Sequence, residues 1–127
     1  MRLALGTSRY VDFARGDAAT LAILEIALEI HIPLMVLGEL RAGFAVGKHG
    51  ARNEGLLRRF MQRPGVTVLV PDEQTAHHYA LVYRQLRMQG TPIPTNDMWI
   101  AASVLQHDLV LCARDSHYDH LPQIPRA

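Results

Sequence analysis

The architecture follows from residues 94–115, which begin Pro94-Thr95-Asn96-Asp97-Met98-Trp99-Ile100-Ala101-Ala102 and end Leu109-Val110-Leu111-Cys112-Ala113-Arg114-Asp115. The first half predicts a helix from Asp97 to His107, capped by Thr95 or Asn96 and buried because it is apolar on most sides. The run Leu109–Cys112 is too short for a helix and predicts a buried strand. A buried helix that leads directly into a buried strand is typical of α/β proteins.

The rest of the chain repeats this alternation of short apolar runs with amphipathic segments. The predicted strands are 3–5, 32–37 and 66–70, and the predicted helices are 17–30, 39–46, 51–62 and 72–90. Asp17 and Asp72 are the expected N-caps of the first and last of these helices, and the last is expected to end near Gly90. Apolar strands alternating with helices indicate a mostly parallel sheet covered on both faces. We therefore expect a single three-layer α/β/α domain over residues 1–127, with no linker or repeat to divide it.

Composition limits the classes of function. The only cysteine, Cys112, lies in an apolar run, so a disulfide within the chain is excluded and a buried thiol is expected. No apolar stretch approaches the ~18 residues that span a bilayer, which predicts a cytoplasmic protein without membrane contact. The formal net charge of +1 excludes a broad basic surface, so any nucleic acid must be bound locally.

Three acidic residues fall where a parallel sheet would bring them together. Glu39 lies two residues past the predicted second strand, Asp115 three past the fourth, and Asp97 opens a helix. The carboxyl ends of parallel strands meet at one edge of the sheet, where functional crevices lie. For Asp97 the alternative is a purely structural role at a helix N-terminus, where acids are common.

Carboxylates that converge without matching basic residues repel one another unless a divalent cation neutralises them. Oxygen ligands alone select Mg²⁺ or Mn²⁺. Such an ion can activate water and stabilise charge on a phosphodiester. The acids therefore suggest a metal-dependent nuclease. No P-loop, dinucleotide-binding or serine-hydrolase motif competes with this hypothesis.

Four segments together resemble the PIN-domain ribonucleases, and especially the VapC toxins of type II toxin–antitoxin systems. They are the first strand with the residues after it, Val36–Gly43, Pro94–Ala102 and Leu109–Tyr118. The third is the most specific, because Asp-x-Trp-Ile-Ala-Ala opens the corresponding helix in many VapC-like proteins. The resemblance implies a PIN fold and endonucleolytic cleavage of RNA, with Glu39, Asp97 and Asp115 binding Mg²⁺ or Mn²⁺. It also implies a homodimer and a cognate VapB-like antitoxin.

The chain departs from the family at the first strand, which ordinarily ends in Asp-Thr-Asn but here ends in Gly6-Thr7-Ser8. The first metal-binding carboxylate of the family is therefore missing at Gly6, and weaker metal binding is expected. The sequence is compatible with a natural pseudo-enzyme, with a chain weakened deliberately or during cloning, and with an enzyme that works on three acids. A catalytically inactive module that dimerises and binds an antitoxin or RNA is thus the alternative function.

Six further residues are candidates for substrate binding because they adjoin the acidic segments. Thr7 and Ser8 retain hydroxyl groups that can orient water or phosphate, and His117 follows Asp115 closely. The others, Arg9, Arg41 and Arg114, can contact phosphate. The alternative for these arginines is a salt bridge to the site acids themselves.

Overall fold

We describe the chain from a computed structural model that covers all residues, Met1–Ala127. Four strands alternate with six helices, and a 3-10 helix follows the last strand. In chain order the elements are β1 (Arg2–Leu5), α1 (Thr7–Ala14), α2 (Ala18–Glu25), β2 (Glu29–Pro33), α3 (Leu34–Val46), α4 (Gly50–Met61), β3 (Val66–Leu69), α5 (Glu73–Gln89), α6 (Thr95–His107), β4 (Val110–Cys112) and the 3-10 helix Ser116–His120.

The four strands form one parallel sheet in the order β3-β2-β1-β4, flanked by helices. Ala4 at its centre is in register with His31 of β2 on one side and Leu111 of β4 on the other. The predicted α/β class with a parallel central sheet is confirmed. None of the helices is both long and apolar enough to cross a membrane.

The strand order creates a crevice beside β1. The chain builds outward from β1 to β2 and β3, and then returns to place β4 on the opposite side of β1. The strand order therefore reverses at β1, which has β2 on one side and β4 on the other, and ligands of α/β proteins bind at such switch points. Just past β1, the Gly6 N–H donates to the Cys112 carbonyl at 2.9 Å, so the two strand ends stay together.

One hydrophobic core of 27 buried residues joins the sheet to its helices. Leu3, Ala4 and Leu5 of β1 are all fully buried, as the central position of this strand requires. Cys112 is buried as predicted, and burial raises the pKa of its thiol. An apolar environment disfavours the thiolate, which makes this cysteine unreactive.

The boundary between β2 and α3 differs from the prediction. The strand was expected at 32–37, but β2 covers Glu29–Pro33, and residues from Leu34 onward already belong to α3. The strand uses the alternating sequence Glu29-Ile30-His31-Ile32, whereas the apolar run after Pro33 is the buried face of a helix. Short apolar runs do not distinguish strand from helix, and that ambiguity produced the error. Glu39 consequently lies in the middle of a helix rather than at the start of one.

The helix termini test the predicted caps. Asp17 accepts from the Thr20 N–H at the start of α2, and Asp72 forms a capping box with Thr75 at the start of α5. The helix α5 ends at Gly90, whose φ of 71° is left-handed, as expected. At α6 the prediction was wrong, because the N-cap residue is Pro94 and no side chain caps the helix.

Candidate active site

A cleft of about 590 Å³ opens at the crevice beside β1. Its wall combines the end of β1, the start of α1, the middle of α3, the N-terminus of α6 and the segment after β4. The twelve lining residues are Gly6, Thr7, Ser8, Glu39, Pro94, Thr95, Asn96, Asp97, Ile100, Asp115, His117 and Tyr118. The three predicted acids therefore line one cleft, although they come from distant parts of the chain.

Asp97 is largely enclosed, with 13% of its side chain exposed. His117 Nδ1 lies 2.9 Å from Oδ2, and the Tyr118 hydroxyl donates to Oδ1 over 3.4 Å. Burial raises the pKa of Asp97, the hydrogen bond from His117 opposes that rise, and the charges of Asp115 and Glu39 add to it. The carboxylate thus experiences the field of both other acids and does not cap α6.

Glu39 projects from α3, and its Oε1 accepts a hydrogen bond of 2.8 Å from the Thr7 hydroxyl. Thr7 is the first residue of α1, which begins where β1 ends. The hydrogen bond joins two elements that are far apart in sequence. In this structure Thr7 therefore orients an acid, whereas the prediction assigned it to substrate or water.

Asp115 precedes the 3-10 helix at its N-cap position, but its side chain makes no capping hydrogen bond. The residue is partly exposed and lines the cleft. A free carboxylate in this position is available to a cation.

Tyr118 is a site residue that the sequence did not predict. It is buried, and its burial raises the pKa of its phenol far above the ordinary value. The negative charge of Asp97 adds to this rise. Tyr118 therefore stays protonated and donates to Asp97.

The three predicted arginines pair with acids outside the cleft. Arg114 forms two hydrogen bonds with Asp12, at 2.9 and 3.2 Å, and its hydrogen bonding lowers the pKa of that carboxyl. Arg9 also contacts Asp12 at 3.6 Å. Arg41 binds Glu54 of α4 at 2.8 Å. The sequence left open the alternative that these arginines form salt bridges with the site acids. The structure contradicts that alternative.

No arginine or lysine consequently neutralises Glu39, Asp97 or Asp115. The donor set is three carboxylates in one cleft, which is the chemistry that Mg²⁺ and Mn²⁺ prefer. The spacing is less favourable than the donor set, since no group of three or more His, Cys, Asp or Glu side chains is arranged so that it could hold a metal ion. The three carboxylates are the right type of ligand for a hard dication. They must move closer together to bind the same ion.

Gly6 contributes no ligand, and the surrounding structure leaves too little room for a side chain at this position. A Cβ atom at Gly6 would lie 2.9 Å from the Cβ of Ala113 and 3.3 Å from the Cys112 carbonyl oxygen. The first distance is shorter than real Cβ contacts. A carboxylate at this position therefore requires β1 or the end of β4 to shift, or a smaller residue at position 113.

Comparisons with known proteins agree with this architecture. The PIN domain family matches residues 5–124, and the chain belongs to the PIN-domain family. Ribonuclease VapC4 of Mycobacterium tuberculosis (strain ATCC 25618 / H37Rv) is 30% identical over 95 residues, which cover 73% of this chain and 72% of that protein. Ribonuclease VapC1 of Haemophilus influenzae (strain R2866) is 46% identical over 46 residues, covering 36% of this chain and 34% of that protein. The predicted resemblance to PIN-domain, VapC-like ribonucleases is confirmed.

Solved structures show the same fold. VapBC2 of Rickettsia felis, bound to a DNA fragment from its promoter, has a TM-score of 0.89 at 21% identity and covers 100% of this chain and 98% of that chain. FitAcB of Neisseria gonorrhoeae has a TM-score of 0.81 at 25% identity and covers 98% of this chain and 95% of that chain. VapBC-1 of nontypeable Haemophilus influenzae has a TM-score of 0.82 at 22% identity, covering 100% and 97%.

Proposed function

We propose that this chain is a metal-dependent endoribonuclease of the VapC type. One observation carries the proposal: Glu39, Asp97 and Asp115 line a single cleft, and no arginine or lysine pairs with any of them. Uncompensated carboxylates raise the free energy of the folded state, and a divalent cation is the ligand that relieves this cost. The sequence relationship to ribonucleases VapC4 and VapC1 supports RNA as the substrate.

In this proposal Glu39, Asp97 and Asp115 hold Mg²⁺ or Mn²⁺. When bound, such an ion lowers the pKa of water and stabilises negative charge on a phosphodiester. The chain's own residues prepare the site for it. Thr7 orients Glu39, while Tyr118 and His117 bind the two oxygens of Asp97 and keep its carboxylate directed into the cleft.

Partners are proposed from the same relationship. The similar structures from Rickettsia felis and Haemophilus influenzae are VapBC assemblies, and a further similar structure is a toxin–antitoxin complex from Klebsiella pneumoniae. We therefore propose a VapB-like antitoxin as the partner of this chain, and a homodimer as its own assembly. Sedimentation of the purified chain with and without a co-expressed antitoxin tests both.

The alternative function is a module that binds RNA or an antitoxin without cleaving RNA. Two observations favour it: Gly6 supplies no carboxylate, and the acids do not form a ready metal site. The two functions differ in a single measurable property, which is hydrolysis of RNA in the presence of Mn²⁺.

The test compares wild type with Asp97→Asn in RNA cleavage with Mn²⁺. Loss of a ligand is expected to weaken metal binding by at least about 10- to 100-fold, with cleavage lost in proportion. Glu73→Gln is the matched control, because Glu73 is also an acid in the first turn of a helix but lies on α5, outside the cleft. Cleavage that survives in Asp97→Asn refutes the assigned site. Absence of cleavage in wild type supports the inactive module.

A further inference from the structure

The end of the chain pairs with β4, beyond the region that matches the PIN domain family at residues 5–124. The Leu111 N–H donates to the Pro125 carbonyl at 2.8 Å, and the Ala127 N–H donates to the Leu111 carbonyl at 3.0 Å. This is one parallel bridge between Leu111 and Arg126. The bridge fixes the backbone of Arg126 beside the strand that leads to Asp115.

The side chain of Arg126 turns back over the segment that carries Asp115. Its Nη2 donates to the Ala113 carbonyl at 2.6 Å and to the Asp115 carbonyl at 3.3 Å, and its Nη1 donates to Asp119 at 3.2 Å. One guanidinium thus binds two backbone carbonyls on either side of Arg114. Only 27% of the Arg126 side chain is exposed, although Asp119 is largely exposed.

The same guanidinium packs on the ring of Tyr118, with its carbon 5.5 Å from the ring centre. The Tyr118 hydroxyl in turn donates to Asp97. A cation above an aromatic face is attracted by the ring, and the attraction increases with burial. Arg126 therefore contacts both the backbone of one site acid and the residue that holds another.

We propose that Arg126 is a positioning residue, which fixes Asp115 directly and Asp97 through Tyr118. It lines no part of the cleft and acts only through these neighbours. The planar guanidinium matters, because it donates in two directions while its carbon lies over an aromatic ring, which the single ammonium of lysine does not do. The inference rests on the proposed metal site, so its test must also have a readout that needs no metal.

The test compares Arg126→Ala and Arg126→Lys with the control Arg2→Ala. Arg2 makes the same kinds of contact elsewhere, since it pairs with Glu29 at 3.1 Å and donates to the His107 carbonyl at 3.2 Å. The first readout is Mn²⁺ affinity, measured by calorimetry without RNA. Arg126→Ala is expected to bind Mn²⁺ about 10- to 100-fold more weakly, the scale for lost support of metal ligands. Arg126→Lys should recover little of this affinity, and Arg2→Ala should match wild type.

Whether Arg126→Ala binds Mn²⁺ more weakly or more tightly than wild type distinguishes a positioning role from a simple electrostatic effect. Removing a positive charge near three acids would by itself strengthen Mn²⁺ binding. The proposal is overturned if Arg126→Ala binds Mn²⁺ as tightly as wild type or more tightly. It is also overturned if Arg2→Ala loses as much affinity, because the effect would then be a general loss of stability.

The second readout is amide hydrogen exchange of residues 113–118, which does not depend on a metal. Faster exchange is expected there in Arg126→Ala and not in Arg2→Ala. If wild type binds no Mn²⁺, the proposed function fails, but the exchange still decides whether Arg126 orders this segment. Unchanged exchange in Arg126→Ala overturns the positioning role in either case.

Discussion

At the scale of single residues, Gly6 and Ala113 determine how many carboxylates the cleft can contain. The Cβ that an aspartate would add at position 6 lies 2.9 Å from the Ala113 Cβ, which is a rigid methyl group on buried backbone. Gly6→Asp alone is therefore expected to destabilise the fold by about 1–3 kcal/mol, the usual cost of overpacking. Urea unfolding of the single variant against wild type measures this cost.

The double variant Gly6→Asp/Ala113→Gly is the control for the contact. Removing the Ala113 methyl should recover part of the lost stability, and the pair should bind Mn²⁺ more tightly than either single variant. A stable Gly6→Asp protein with the same gain in Mn²⁺ affinity would show that the two strand ends separate easily. In that case the missing carboxylate has no steric cause.

The sequence predicted which carboxylate is missing but not what occupies its space. The motif around Gly6 is local and is visible from its neighbours Thr7 and Ser8. Its contact with Ala113 exists only because β1 and β4 are paired in the sheet. The ion pairs of Arg41 and Arg114 could not be predicted for the same reason, since Glu54 and Asp12 become their partners only when distant segments pack together. Arg9 differs, because it lies three residues before Asp12 on the same helix.

At the scale of elements, α5 and α6 are joined by a polar cluster around the buried Thr75 at the N-terminus of α5. The Thr75 hydroxyl accepts from the Asp72 N–H at 2.9 Å and also contacts Gln106 near the end of α6, while Gln106 donates to Asp72 at 2.8 Å. Thr75 is fully buried. Since α6 carries Asp97 at its other end, this cluster helps to fix the helix that forms one wall of the cleft.

Thr75→Val removes this hydroxyl at nearly constant volume. It leaves the Asp72 N–H and the Gln106 carbonyl without their partner, and a loss of about 1–3 kcal/mol in the free energy of unfolding is expected. Thr67→Val is the control, because Thr67 makes one exposed hydrogen bond, to His31, on the edge strand β3. That change should stay within about 0.5 kcal/mol of wild type. Equal unfolding midpoints for the two variants would contradict the role of the cluster.

Sequence patterns predicted most elements because caps and periodicity are local properties. Asp17, Asp72 and Gly90 were recognised as helix ends, and the structure confirms all three. The boundary at Pro33 was missed because the apolar run around it suits either a buried strand or a buried helix face. Arg126 gave no signal at all, since its role depends on the return of the chain terminus to β4.

At the scale of the whole molecule, one continuous core supports the cleft. Residues from all four strands belong to the same buried cluster, so the folded chain is expected to unfold as one cooperative unit. The acids are attached to this core by short connections, with Met98 buried beside Asp97 and Leu40 buried beside Glu39. Packing therefore holds like charges near one another, and the charges oppose the stability that the core provides.

Asp97→Asn should consequently be more stable than wild type when no metal is present. The amide keeps the shape of the side chain but removes one charge from a buried position whose pKa is raised by burial and by two neighbouring acids. A gain of about 0.5–2 kcal/mol is expected, as for other substitutions that relieve strain at functional sites. Urea unfolding followed by Trp99 fluorescence and by circular dichroism measures it, and the two signals should give the same midpoint.

Addition of Mn²⁺ should make wild type more stable than Asp97→Asn. Binding to the folded state alone stabilises wild type by about 2.7 kcal/mol at a metal concentration of 100 times Kd, whereas Asp97→Asn should gain little. Glu73→Gln, which removes an exposed charge outside the cleft, should follow wild type with and without the metal. If Asp97→Asn is the less stable protein without Mn²⁺, repulsion between the acids does not dominate, because the hydrogen bonds from His117 and Tyr118 then outweigh it.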